Sequence, residues 1–110
     1  MNNTPNYSPA SHVRPIRAAL EAVTAAGWIV AAINDGDEWE AIAGIENALE
    51  RIFTVDDSAV GFDRYNEETG RTERAQIMFT LANEPSEAIH DNTMNLEPAL
   101  APLAGVARMF

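Results

Sequence analysis

The fold is decided by residues 59–82, AVGFDRYNEETGRTERAQIMFTLA. In both halves of this stretch apolar side chains alternate with polar or small ones, which is the pattern of strands that bury one face. The connecting segment 66–71 contains Gly70, which suits a left-handed turn position. The pattern therefore predicts a β-hairpin that pairs residues 59–65 with residues 72–82.

Two amphipathic helices are predicted before this hairpin. In both, apolar residues recur at intervals of three and four, which predicts helices over residues 14–26 and 42–53. Pro15 fits the first turn of a helix, where its missing N–H is not needed. Gly27 suits the left-handed cap that ends a helix, with Trp28 folded back onto that helix.

A shorter hairpin is predicted between the two helices. The sequence Asn-Asp-Gly at 34–36 is a turn signal, because Asp-Gly supplies the positive φ angles of a tight hairpin. Strands are therefore expected over residues 28–33 and 38–41. The first of them is apolar on both faces, so we expect it to be buried on both.

The two ends of the chain are less regular. Residues 1–11 are polar and hold two prolines, which predicts a flexible arm with His12 beside it. A short helix is predicted over 86–90. Pro98 and Pro102 argue against one continuous helix near the end of the chain, so residues 96–110 are expected to form a Pro/Leu-rich clasp along the sheet.

The element order α-β-β-α-β-β-α predicts an α+β fold. Strands that come in hairpin pairs favour an antiparallel sheet, here built from two β-hairpins, with the helices packed on one face. A chain of 110 residues fits one domain with one core. We assign that domain to residues 12–95.

Strong acidity is the unusual feature of the composition. There are 17 acidic residues against seven arginines, no lysine and no cysteine, and the formal net charge is -10. Such a protein is expected to repel nucleic acid and anionic membranes and to attract basic protein surfaces. The alternative is that the acidity only keeps a small protein soluble. Without cysteine a disulfide framework is excluded, and we expect a cytoplasmic protein without a cofactor.

The acidic residues are concentrated between positions 35 and 57, where eight carboxylates accompany a single base, Arg51. They predict a negative face that binds a basic protein surface. Trp39 lies among them and is the best contact candidate of four aromatic residues, the others being Trp28, Tyr65 and Phe110. Trp28 is expected in the core. The candidate face comprises Asp35, Asp37, Glu38, Trp39, Glu40, Glu46, Glu50, Asp56 and Asp57.

Catalytic and metal sites find little support in the sequence. A calcium loop starting at Asp35 would place Glu46 at its twelfth position, but Trp39 and Glu40 occupy positions that need an oxygen ligand and a glycine. An alternative polar site consists of Glu87, His90 and Asp91, where a carboxylate would orient the imidazole. The sequence marks no serine or cysteine as its nucleophile. We therefore expect no catalytic residue and no metal ligand.

Several segments resemble small phage and prophage proteins that have no characterised activity. They are Ala26-Gly27-Trp28 with Asp35-Gly36, the run ALERIFTVD at 48–56 and the run ANEPSEAIHD at 82–91. The resemblance covers much of residues 15–97 and carries no site residues with it. It implies a phage accessory protein, a class that includes antagonists of bacterial defence such as anti-CRISPR proteins.

The sequence thus favours a non-enzymatic accessory protein that binds a partner protein with a basic surface, in one version by masking a nucleic-acid-binding surface of a host defence system. Two alternatives stay open. One is a small-ligand-binding domain that uses Glu87, His90 and Asp91. The other is a homo-oligomeric structural protein held together by its leucine-rich tail.

Overall fold

A computed structural model of the protein describes residues 9–82 and 88–107. Its elements are α1 (Pro9–Ala25), β1 (Ile29–Asn34), β2 (Trp39–Ala41), α2 (Gly44–Ile52), β3 (Asp57–Asn66), β4 (Arg71–Thr80), β5 (Ile89–Asn92), a 3₁₀ turn (Met94–Leu96) and α3 (Glu97–Ala107). The strands form one sheet in the order β2-β1-β3-β4-β5, and every neighbouring pair is antiparallel. The predicted α+β class is confirmed.

The hairpin of β3 and β4 is the centre of the sheet, and its prediction is confirmed. Ten residue pairs join the two strands, from Asp57 opposite Thr80 to Asn66 opposite Arg71. Gly70 has a positive φ of 72°, and its N–H donates to the carbonyl oxygen of Asn66 at 2.8 Å. The turn thus uses glycine where a left-handed backbone is required.

The core lies between one face of the sheet and the helices. Because side chains alternate along a strand, every second residue of β1, β3 and β4 points to the helices, apart from a register shift in β1 between Val30 and Ala32. The buried residues include Val30, Ile33, Val60, Phe62, Ile77 and Phe79 of the sheet and Ile16, Leu20, Val23, Leu49 and Ile52 of the helices. No element among residues 9–82 and 88–107 covers the opposite face, which we name the open face.

The end of α1 has the predicted glycine cap. Gly27 has a φ of 99°, and the N–H of Trp28 donates to the carbonyl oxygen of Val23 at 3.2 Å. This is the hydrogen bond of a Schellman motif, which turns the chain back towards its helix. Trp28 is 2% exposed, so its expected place in the core is confirmed.

The beginning of α1 differs from the prediction. The helix begins at Pro9, so residues 9–11 belong to it and Pro15 lies inside it; residues 1–8 are outside the described ranges. Pro15 removes one backbone N–H from the helix. His12, expected beside a flexible arm, is buried at 2% exposure. Packing of this first part of the helix therefore outweighs the local preference of proline.

Two details of the first hairpin are also corrected. Ile29 is 66% exposed, so β1 is not buried on both faces: the helices cover one face only. Gly36 does not have a positive φ. The connection is a four-residue loop over 35–38 rather than a tight turn, and Asn34 Oδ1 accepts a hydrogen bond from the N–H of Gly36 at 3.1 Å.

The C-terminal region is more regular than predicted. The helix predicted over 86–90 is wrong in its described part, because Ile89–Asn92 forms the edge strand β5. The expected break of the last helix is also wrong: α3 contains Pro102 and packs mainly on α1. Pro98 is the second residue of α3, where its missing N–H has no helical partner. No helix within the described ranges is long and apolar enough to cross a membrane.

Candidate functional site

Three acidic segments meet at one end of the sheet. Asn34, at the end of β1, lies opposite Ala59, near the start of β3, so the β1–β2 loop is adjacent to the beginning of β3. The C-terminal turn of α2 joins them, because Arg51 contacts Asp35 in the loop. We name this region the acidic end and define it by the carboxylates Asp35, Asp37, Glu38, Glu40, Glu50, Asp56 and Asp57 with Arg51.

Arg51 neutralises part of this charge and fastens the first hairpin to α2. Its Nε and Nη2 both donate to Asp35 Oδ2, at 2.9 and 2.7 Å, and Nη2 also donates to Glu40. The hydrogen bonds to Glu40 and Asp35 raise the pKa of Arg51 further above its ordinary value. Asp35 and Glu40 therefore have a structural role that the sequence did not reveal.

Glu46 is not part of the acidic end. It lies in the first turn of α2, where Arg17 of α1 donates to it twice, from Nη1 at 2.5 Å and from Nη2 at 3.1 Å. The hydrogen bond from Arg17 lowers the pKa of Glu46. Of the nine residues of the predicted face, only Glu46 forms an ion pair between α1 and α2.

The five remaining carboxylates of the acidic end face solvent. Asp37, Glu38, Glu50, Asp56 and Asp57 are all exposed, and no base among the described residues forms an ion pair with them. Seven carboxylates and one arginine give the acidic end a formal charge of about -6 at neutral pH. More than half of the net charge of the protein, -10, is thus gathered at this end.

Trp39 joins the acidic end to the open face of the sheet. It is 48% exposed, and Ile29, Tyr65 and Met78 on the same face are exposed as well. Part of its indole lies over Gly61 of β3: a Cβ atom added to Gly61 would be 3.3 Å from Trp39 Cζ3. An indole that is half covered and half exposed is the kind of residue that anchors protein interfaces.

A concavity of about 600 Å³ extends from Trp39 across the open face. Its floor consists of small residues on three adjacent strands, including Ala32 of β1, Ala41 of β2 and Gly61 of β3. Asp63, Arg74 and Gln76 line its far side. We name this concavity the trough. Gly61 is the one sequence signal for the trough, since glycine inside a strand often marks a close approach of another group.

The alternative polar site is only partly described. His90 and Asp91 lie on β5 and are both exposed, whereas Glu87 is outside the described ranges. His90 borders a second concavity, of about 540 Å³, together with Asp57 and Thr80. Within residues 9–82 and 88–107, no three histidine or carboxylate side chains come together as metal ligands would.

The acidic end and the trough meet at Trp39, so carboxylates and apolar surface lie side by side there. No protein-family model matches the chain, and neither a curated protein nor a solved structure is significantly similar to it. The residues and their geometry are therefore the basis for a functional proposal.

Proposed function

We propose that the protein is a non-enzymatic accessory protein that binds the basic surface of a partner protein. The observation that carries this proposal is that the acidic end, with five solvent-facing carboxylates, lies at the same end of the sheet as the half-exposed indole of Trp39. Interfaces commonly combine an aromatic anchor with charged groups at the rim, the anchor for affinity and the charges for orientation and association rate.

The charge selects the class of partner. A region of about -6 attracts cationic surfaces over a distance that depends on ionic strength, and it repels phosphate-rich nucleic acid. Protein surfaces that hold nucleic acid present rows of arginine and lysine to the phosphates. The acidic end is complementary to a surface of that kind.

An inhibitor of a nucleic-acid-binding protein is the specific form of the proposal. By occupying a basic groove, the acidic end would exclude the nucleic acid that belongs there. A target in a host defence system, as for anti-CRISPR proteins, is the version that the resemblance of much of residues 15–97 to small phage proteins implies.

Two matched pairs of substitutions test the role of the acidic end. Asp37→Asn with Glu38→Gln removes two charges from the β1–β2 loop. Glu67→Gln with Glu68→Gln removes two charges from the β3–β4 turn, at the other end of the sheet. All four side chains are exposed, and both double variants have the same net charge. Binders are captured from bacterial lysate with the wild type, identified by mass spectrometry, purified and measured by calorimetry.

The first double variant should raise the dissociation constant about tenfold, and the second should raise it less than about twofold. Binding of the wild type should weaken as salt rises, because charge steers the association. A nucleic-acid ligand of the captured protein should compete with the wild type. Equal effects of the two double variants would mean that net charge alone, and not the acidic end, is responsible. Binding that is insensitive to salt would contradict the proposal directly.

A further inference from the structure

We propose that the trough binds one arginine side chain of the basic partner, with its guanidinium stacked on Trp39 and paired with Asp63. This inference rests on the proposed function and names the residue that the site recognises. It depends on three features of the open face: a half-exposed indole, a floor of small residues and a carboxylate, Asp63, whose ion pair with Arg74 is long.

The floor of the trough leaves room beside the indole. Ala32, Ala41 and Gly61 are neighbours across β1, β2 and β3, and none of them has a side chain larger than a methyl group. The contact between Trp39 and Gly61 involves Cζ3 and Cη2, at one edge of the indole. With 48% of Trp39 exposed, part of its surface is available to a flat cation.

Asp63 supplies the negative charge. It lies two residues after Gly61 on β3, about 7 Å along the strand, and it points to the same open face. Its neighbour across the strands is Arg74. The Nε atom of Arg74 is 3.9 Å from Asp63 Oδ1, and the Arg74 side chain is 87% exposed. A pair with this geometry is too long for a hydrogen bond, so an incoming guanidinium can replace Arg74 with little loss.

The same set of residue types is already complete on the other face of these strands. Arg64 lies over the ring of Trp28 with its Cζ atom 4.3 Å from the ring centroid. Its Nε and Nη2 both donate to Glu73 Oε1, at 3.0 and 2.9 Å. Tryptophan, arginine and a carboxylate on the adjacent strand thus form one unit there. On the open face Trp39 and Asp63 are joined by Arg74, but Arg74 is 3.9 Å from Asp63 and 87% exposed, so we infer that an arginine of the partner takes the place that Arg64 has on the other face.

Arginine fits this site better than the other occupants. Its planar guanidinium stacks on an aromatic ring and donates to a carboxylate at the same time, whereas lysine carries a compact, strongly hydrated charge. A second copy of the chain brings a net charge of -10 to a face bordered by the acidic end, and the two copies repel each other.

Titration of the whole protein with N-acetyl-arginine amide, followed by NMR, tests the inference without a partner protein. The two indole N–H resonances are assigned with Trp39→Phe. We expect a saturable shift of the Trp39 resonance, with a dissociation constant in the millimolar range, while the resonance of buried Trp28 stays in place. N-acetyl-lysine amide should give a weaker shift and N-acetyl-citrulline amide, which is flat but neutral, almost none.

Asp63→Asn should weaken arginine binding by at least about threefold, whereas Glu67→Gln, with the same loss of charge, should leave it unchanged. No saturable shift, an equal response to citrulline, or an unchanged affinity of Asp63→Asn would each overturn the inference.

The captured partner separates this inference from the proposed function. If Asp37→Asn with Glu38→Gln weakens the partner complex while Trp39→Ala and Asp63→Asn leave it unchanged, the proposed function stands and the arginine site is wrong. If all of these variants bind as the wild type does, the proposed function is wrong, and the arginine site is wrong with it. Tyr65→Ala, which is also on the open face but outside the trough, is the control that should keep full affinity.

Discussion

The two tryptophans of this protein lie on opposite faces of one sheet and differ in how much of their surface the chain covers. Trp28 is 2% exposed and lies beneath Arg64, which Glu73 holds in place. Trp39 is 48% exposed and has an edge contact with a glycine. The comparison indicates that Trp28 contributes to the core, whereas about half of the surface of Trp39 is open to solvent.

Local sequence explains the different positions. Trp28 follows Gly27, whose left-handed backbone closes α1 and directs the next side chain against the helix. Trp39 opens β2, an edge strand of three residues that are all exposed. Trp39 points to the open face, which no helix of the described residues covers, and its strand has a neighbour on one side only, so about half of the indole stays exposed.

The largest expected effect is on stability and separates the two tryptophans. Trp28→Ala should lower the free energy of unfolding by about 3–5 kcal/mol, because it leaves a cavity in the core and removes the surface on which Arg64 lies. Trp39→Ala should cost about 2 kcal/mol, since about half of its surface is already in solvent. Urea unfolding followed by circular dichroism measures both. Equal losses of stability would mean that Trp39 contributes to the core as much as Trp28 does.

A pH-dependent effect is expected at Glu73, which holds Arg64 over Trp28. The hydrogen bonds from Arg64 and Asn66 lower the pKa of Glu73 in the folded protein. A lowered carboxyl pKa adds stability above the pKa of the unfolded chain, and that stability is lost as pH falls through the folded value. Glu73→Gln should therefore lower stability at pH 7 by less than Trp28→Ala, and the difference from the wild type should shrink in acid, below about pH 4.3.

Unfolding curves at several pH values measure this difference, and Glu67→Gln is the control. Glu67 lies in the β3–β4 turn without an ion pair among the described residues. Its substitution should leave the pH dependence close to that of the wild type. A difference between Glu73→Gln and the wild type that is constant from pH 7 to pH 3 would show that the carboxylate does not act through its charge.

Much of the fold follows from local pattern, and the exceptions have physical causes. Alternation in 59–82 predicts the central hairpin, and Gly27 predicts the cap of α1, because both depend on neighbouring residues only. The segment Ile89–Asn92 has no alternating apolar pattern. It becomes β5 because it pairs with β4, where Phe79 lies opposite Ile89. Tertiary pairing of this kind is invisible in a short window of sequence.

The candidate site is predictable to a similar extent. The acidic end consists of residues close together in sequence, so composition alone points to most of it. The ion pairs of Arg51 and of Glu46 depend on the packing of α2 against its neighbours. That packing cannot be predicted from the spacing of residues in the sequence. The trough depends on the register that sets Ala32 opposite Gly61 and Asp63 opposite Arg74. Register between strands is a property of the whole sheet.

A substitution at Gly61 tests how firmly Trp39 is held over β3. Gly61→Ala places a methyl group 3.3 Å from Trp39 Cζ3, which is tighter than an ordinary contact. The exposed indole can lift away, and alanine restricts the unfolded chain more than glycine does, so stability should rise by about 0.5 kcal/mol. The lifted ring should emit at longer wavelength when Trp28→Phe removes the other fluorophore from both proteins. A clear loss of stability would mean that Trp39 is held rigidly over β3, and the trough would then be a fixed recess rather than one that adjusts to its ligand.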